Sequence, residues 1–199
     1  MSIYDPLLLD FPDHIETERL LIRAPRPGDG VLINEGLRES HTELHPWMPW
    51  ARVMQTVDES EIVARRMAAK FILREDLMLL LIRKTDGAFV GASGMHAIDW
   101  EVPKFEIGYW VRTSMSGQGY ITEAVNGITR FAFETLNARR VEIRCDVQNE
   151  RSAAVARRAG YTLEGTLRHD DMDNEGLPRS THIFSKIRDD YFLDAAPPS

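Results

Sequence analysis

The sequence predicts an α+β (mixed α/β) domain, and three observations carry that reading. Strand-like segments cluster in the middle of the chain, from Leu77 to Val111. Helical patterns stand before and after that cluster instead of following every strand. Short turn signals separate the elements, with no internal repeat or low-complexity block among them. A doubly wound parallel sheet needs strict strand–helix alternation, so a mixed layer fold fits better. A length of 199 residues suits one domain with a sizeable core. We expect an N-terminal arm over residues 1–14, a single domain over 15–188 and a loose tail over 189–199.

Each element has its own signal. Thr17 to Ala24 (TERLLIRA) reads as a strand, stopped by Pro25 and Pro27. Residues 28–39 pattern as a short helix. Leu44 to Trp50 (LHPWMPW) sets two prolines among large apolar groups, which marks a loop. Asp58 is a fair N-cap for a helix to about Arg74, with Ile62, Val63, Met67 and Phe71 on one side. Leu77 to Ile82 is a continuous apolar run of strand length, as in a strand covered on both faces. Asp86-Gly87 signals a hairpin, with Phe89 to Ile98 as the partner strand. Phe105, Ile107, Tyr109 and Val111 alternate with Glu106, Gly108, Trp110 and Arg112, a period-two strand.

Ile121 to Leu136 carries the strongest helical stripe, through Ile121, Ala124, Val125, Ile128, Phe131 and Ala132. Gly127 inside it costs about 1 kcal/mol against Ala and marks a close approach of another backbone. Val141, Ile143, Cys145 and Val147 alternate as a strand. A short helix runs from about Ser152 to Ala159, ended by Gly160. Two strands follow, near 161–168 and 180–187, joined by a polar loop from His169 to Leu177.

Composition narrows the function. Acidic residues number 31 against 24 basic ones, a net charge of −7. That balance argues against binding nucleic acid through its phosphates and suits a basic or amine-bearing substrate. Cys145 is the only cysteine, so an intramolecular disulfide and a Cys-rich zinc site are excluded. No run approaches the ~20 apolar residues that span a bilayer, and the N-terminus lacks a signal-peptide pattern. These features point to a cytoplasmic protein without membrane partners.

The chemistry concentrates between Phe105 and Tyr161. A strand enters the loop Ser116-Gly117-Gln118-Gly119, and a helix starts at once. The two glycines let the backbone turn sharply and bring its N–H groups close to a ligand. The first N–H groups of a helix lack internal partners and sit at its positive end. Together they form a cradle for a phosphate or pyrophosphate, or else only a tight strand-to-helix turn. The Rossmann pattern would need a third glycine where Thr122 stands, and no Gly-Lys-Ser/Thr tripeptide of a P-loop occurs.

The string EIGYWV, five residues, then GQGYITEA, with Asn149-Glu150-Arg151-Ser152 and AGYTLEG at 159–165, resembles the GNAT acetyltransferase superfamily. It is most similar to the RimJ/RimL-like branch of ribosomal-protein N-terminal acetyltransferases. The likeness runs from ETERLLIR (16–23) through the HPWMPW loop to Lys186. It implies a seven-stranded, mostly antiparallel mixed sheet, splayed at its centre and flanked by about four helices. It implies acetyl-CoA as cosubstrate, with no metal, and a homodimer by analogy with family members.

Carried onto this chain, the resemblance assigns the pyrophosphate to the backbone of Met115, Ser116, Gly117, Gln118, Gly119 and Tyr120. One departure is Ser114, where the family pattern begins with Gln or Arg. Trp110, Val111 and Arg112 would line the pantetheine arm, and the Trp110 N–H would polarise the thioester carbonyl. Asn149 would bond the pantetheine amides. Transfer also needs a neutral amine and a proton for the leaving thiolate. Glu106 is the first candidate base and Asp171 the second, against readings as a solvated strand residue and a polar loop residue. The family's usual tyrosine acid is replaced by Ala156, which shifts that role to Ser152, otherwise an N-cap. Trp47, Met48 and Trp50 would wall the acceptor site, or else form a satellite apolar cluster. His96 and His182 read as structural, and Cys145 as inert packing.

The expected activity is acetyl transfer to a primary amine by direct attack, the acceptor a protein N-terminal α-amine. A small amine (polyamine, amino acid or drug) is the alternative acceptor. The rival readings are a non-catalytic acyl-CoA sensor and a nucleotide-dependent oxidoreductase.

Overall fold

A computed structural model describes residues 5–194. The family-length sheet is there, with eight strands where the sequence suggests seven. The strands are β1 (His14–Glu16), β2 (Leu20–Arg23), β3 (Leu77–Arg83), β4 (Phe89–Asp99), β5 (Lys104–Val111), β6 (Arg140–Asp146), β7 (Thr162–Met172) and β8 (Pro178–Ile187). Their order across the sheet is β1-β2-β3-β4-β5-β6-β8-β7. Every neighbouring pair is antiparallel except β5 and β6.

The extra strand, β1, lies just ahead of TERLLIRA, whose first residues form a turn and leave Leu20–Arg23 as the strand. The Thr17 hydroxyl accepts the Leu20 N–H at 3.1 Å, and the Thr17 N–H donates to the Leu20 carbonyl at 2.9 Å. That turn reverses the chain and pairs β1 with β2. A polar side chain that bonds nearby backbone competes with continued strand, which apolar patterning does not register.

Helices α1 (Gly30–Leu44) and α2 (Val57–Ile72) cover one face. Their contacts, through Ile33, Leu37 and Ala64, meet Leu80, Phe89, Ala92 and Trp110 of the sheet. Helices α3 (Tyr120–Glu134) and α4 (Glu150–Arg158) cover the other, where Ala124, Val125, Ile128 and Phe131 meet Leu79, Phe105, Ile107 and Val141. Strand β3 serves both clusters, Leu77, Leu79 and Leu81 on one side and Leu80 on the other, as its unbroken apolar run predicts.

Several boundaries move for local reasons. Helix α1 continues to Leu44, because Ile33, Leu37, Ser40 and Leu44 extend one buried stripe. Helix α2 is capped by Thr56 and not by Asp58. Thr56 and Glu59 form a reciprocal capping box, at 3.2 Å and 2.8 Å. Strand β7 runs on to Met172 through residues expected in a loop. All eleven of its residues are exposed, so it carries no burial alternation to read. Gly127 faces a side chain, not a backbone: a Cβ there would stand 2.8 Å from Thr17 Cγ2.

Both ends dock where the sequence suggests looseness. Phe11 packs edge-on to Phe71 and Phe131, with centroids 5.9 and 5.7 Å away, and the Arg74 guanidinium lies 3.8 Å over its ring. Helix α5 (Arg188–Asp194) stands in the expected tail, with Tyr191 stacked on Phe133 at 4.8 Å. Residues 1–4 and 195–199 of the expected arm and tail lie outside the described residues. Phe11→Ala is expected to lower stability by about 2 kcal/mol, read as a fall in the thermal midpoint. An unchanged midpoint would show that the arm is not part of the fold. No described helix is long and apolar enough to cross a membrane.

Candidate active site

The site originates in one break of the sheet. Strands β5 and β6 pair only at Lys104–Arg140, Phe105–Val141 and Glu106–Glu142. Beyond Glu106 they diverge. Arg112 donates its N–H to Val90 at 2.8 Å, so antiparallel alternation also turns the Trp110 N–H into the β4 ladder. The N–H groups of Tyr109 and Val111 then point toward the opened side. The main-chain donors beside the gap are therefore those of Tyr109 and Val111, rather than that of Trp110.

A cavity of about 650 Å³ fills this region. Of the residues singled out in the sequence, Glu106, Trp110, Asn149, Ser152, Asp171, Trp47, Met48 and Trp50 line it. Val111, Arg112 and the loop Met115–Tyr120 do not.

Glu106 lies at the point of divergence. Burial pushes its carboxyl above the ordinary range, opposed by the charges of Arg144 and His96. That suits a proton acceptor working near neutrality. Asp171 is held differently. It accepts from Arg179 at 2.6 Å and from the Met172 N–H at 2.8 Å, which keeps its carboxyl below the usual range. Arg179 in turn donates to the Trp47 carbonyl at 3.3 Å. Asp171 thus anchors the tryptophan loop, and its low pKa makes it a weak base.

The same hairpin clasps that loop at a second point. The Asn174 amide donates to the carbonyls of His45 and Met48, and Arg52 donates back to the Asn174 carbonyl at 2.7 Å. Trp50 and Phe89 pack on Trp110, with centroids 6.0 and 5.6 Å away. Met48 both lines the cavity and packs on the α1–α2 cluster, so wall and apolar cluster are one structure.

On the opposite side of the gap, Asn149 caps α4 by accepting the Ser152 N–H at 3.1 Å. Ser152 is therefore not the cap, and its hydroxyl is released. It donates to the Tyr109 hydroxyl at 3.0 Å, which itself donates to the Ser152 carbonyl at 3.0 Å. Burial pushes the Tyr109 phenol up, so it stays protonated. Tyr109 stood inside the EIGYWV string, but its core-side alternation disguised it as packing. Cys145 lines the cavity too, its thiol pushed up by burial.

The loop before α3 is the second half of the site. Residues 116–119 are exposed. Among the described residues, the N–H groups of Gly117, Gln118, Gly119 and Tyr120 donate to no protein acceptor. Met115 and Ser116 are different, since their N–H groups close a tight turn onto Arg112 and Thr113. The open cradle is thus 117–120, shorter than the expected 115–120. Gly117 and Gly119 adopt φ of 74° and 81°, the left-handed region.

Arg112 reaches away from the site to Glu39, at 2.9 and 2.6 Å. Burial alone would raise the Glu39 carboxyl, but bonds from Ser114 and Arg112 bring it down to about 2. Ser114, the departure from the family pattern, is fixed through its own N–H to Glu39 at 2.8 Å. Arg19 bonds the Gln118 carbonyl at 3.0 Å and Glu123 at 2.6 Å, placing a cation beside the cradle. Sequence reasoning missed Arg19 because it stands in the β1–β2 turn, 99 residues ahead of the Gln118 it bonds.

Unpaired loop amides, an opened strand edge and a buried carboxyl in series are an arrangement that suits acyl transfer of the GNAT type. Residues 19–162 match the acetyltransferase (GNAT) domain family, and the chain belongs to that family of acetyltransferases. It is 30% identical over 175 residues to YdaF of Bacillus subtilis (strain 168), provisionally named a ribosomal N-acetyltransferase; the match covers 86% of this chain and 92% of that one. It is 31% identical over 111 residues to the ribosomal-protein-serine acetyltransferase of Escherichia coli (strain K12), covering 56% and 61%. Its fold matches that of RimL, a ribosomal L7/L12 α-N-protein acetyltransferase solved with coenzyme A, with TM-score 0.83, 22% identity and coverage of 89% and 99%. It also matches that of the microcin C7 self-immunity acetyltransferase MccE, solved with acetyl-CoA and AMP, with TM-score 0.82, 23% identity and coverage of 89% and 97%.

Proposed function

We propose that this protein moves the acetyl group of acetyl-CoA to a primary amine by direct attack, with a protein N-terminal α-amine as acceptor. The divergence of β5 from β6 after Glu106 is the observation that supports this most strongly. It opens the sheet along the strand that runs from the cavity-lining Glu106 toward the loop of unpaired amides at 117–120. The residues fit the cosubstrate: open N–H donors and Arg19 suit a diphosphate, and the free edge of Tyr109 and Val111 suits an amide-bearing arm. Bound there, acetyl-CoA supplies an activated acyl group.

The chain's own residues do the rest. Glu106 takes a proton from the amine, directly or through one water. An α-amine has a pKa of ~7.7–8.0, so roughly a tenth is neutral at pH 7, against far less for a Lys side chain. Ser152, held against the Tyr109 hydroxyl, gives its proton to the leaving thiolate and regains one from solvent, to which Glu106 releases its own. Trp47, Met48 and Trp50 hold the acceptor's first residues. A small amine is the second reading, favoured by a cavity volume within the range of small-molecule sites.

Incubation with acetyl-CoA and a panel of N-terminal peptides and polyamines, read by free thiol, tests the proposal. Binding of acetyl-CoA without thiol release on any acceptor would overturn it in favour of a sensor. Ser152→Ala is expected to slow turnover about tenfold and leave acetyl-CoA affinity within a few-fold, since water partly replaces the hydroxyl. A change in thermal stability alone would remove Ser152 from the chemistry.

A further inference from the structure

The cavity lining includes an imidazole, that of His96, to which the site described above gives no role. In the β4–β5 ladder, His96 stands opposite Glu106, Gly94 opposite Gly108 and Ala92 opposite Trp110. On the cavity face of β5 the order is therefore Glu106, Gly108, Trp110. Gly108 leaves a gap between the other two, and the His96 imidazole lies over it. A Cβ on Gly108 would stand 3.2 Å from His96 Cδ2 and 3.4 Å from Nε2. The other ring nitrogen, Nδ1, is 2.9 Å from Asp76 Oδ2. The second Asp76 oxygen is buried and has no hydrogen-bond partner among the described residues, so this carboxylate is committed to His96. An ionised carboxylate can only accept, so Nδ1 carries the hydrogen toward Asp76, and in the neutral imidazole the lone pair stands on Nε2.

The reaction needs such a group. An acceptor that arrives as an ammonium loses one proton before its nitrogen can attack. It loses a second as the C–N bond forms and the C–S bond breaks. The thiolate takes up one proton, and one leaves to solvent. Resting on the acetyl-transfer reading, we propose that His96, oriented by Asp76, takes the first proton from the acceptor ammonium and passes it to solvent, while Glu106 takes the second. With 36% of its side chain exposed, His96 has a route to water. The charged groups lining the same cavity are Asp76 ahead of β3, Glu106 on β5, Arg144 and Asp146 on β6, and Asp170, Asp171 and Arg179 of the β7–β8 hairpin.

The first proton matters only while the amine is charged. His96→Gln and Asp76→Asn are assayed by thiol release with a short peptide bearing a free N-terminal Ser, from pH 6.5 to 9. Acetyl-CoA-induced thermal shifts are measured on the same samples. His96→Gln is expected to lose about 30-fold in kcat/KM for the peptide at pH 6.5 and to come within about threefold of wild type at pH 9. Asp76→Asn follows the same trend with a smaller loss, and both keep the acetyl-CoA shift. A deficit equal at all pH values, or none at pH 6.5, overturns the proposal. If His96→Gln does not fold, His96→Ala with added imidazole replaces it; recovery at pH 6.5 supports the role, and no recovery overturns it. Absence of thiol release by the wild-type protein with any amine fails the transfer reading itself, whereas wild-type turnover with unaffected variants fails only the role of His96.

Discussion

Glu106→Gln is expected to lower kcat by roughly 10²–10³-fold while changing acetyl-CoA affinity little. The carboxyl lies where β5 leaves β6, on the same strand face as Trp110 and inside the cavity. Its pKa is raised by burial, so wild-type kcat should fall as pH drops through that raised value. The Gln variant should lack this acidic limb. Steady-state kinetics across pH read both effects. A flat response to the substitution would transfer the role to the His96 imidazole or to water.

The same carboxyl makes a stability prediction of the opposite sign. Its folded pKa lies above the unfolded value of 4.5, so between the two the folded state binds more protons. Stability conferred by this group is therefore present below pH 4.5 and is lost as pH rises through the folded pKa. Glu106→Gln should melt above wild type near pH 8, with the gap closing toward pH 4.5. A carboxyl that costs stability at working pH is the pattern expected of the proposed base.

Gly119→Val is expected to weaken acetyl-CoA binding by ten- to a hundredfold, with kcat at saturation close to wild type. At φ 81°, a β-branched residue meets a cost of about 1–2 kcal/mol and swings the neighbouring N–H groups out of line. The loop is exposed, so this strain falls on the cradle more than on the core. Calorimetric titration with acetyl-CoA reads it. Unchanged affinity would mean that the amides of 117–120 do not hold the diphosphate.

Most of the fold was legible because its elements carry burial patterns. The Leu77–Ile82 run and the stripe of α3 bury what they promise, whereas the period-two strand at 105–111 buries Phe105 and Ile107 but also Trp110 on its other face. Three of the misses share one cause. Thr17 breaks a strand by bonding its own backbone, Thr56 displaces Asp58 as a cap, and β7 is exposed along its whole length. None of these depends on apolar periodicity, so periodicity did not find them.

The site divides in the same way. The sequence by itself determined the glycine turn into α3, the strand that carries Glu106 and the tryptophan loop, because each is a local pattern with a local consequence. Only the tertiary structure decided which groups share a cavity. It tied Asp171 to Arg179, paired Ser152 with Tyr109, set Arg19 beside Gly119 and brought Asp76 to His96. Ser152–Tyr109 and Arg19–Gly119 join segments far apart in the chain, and the other two contacts form only once neighbouring strands have paired in register. A side chain's proton affinity follows from its burial and neighbouring charges, which exist only once the sheet has formed.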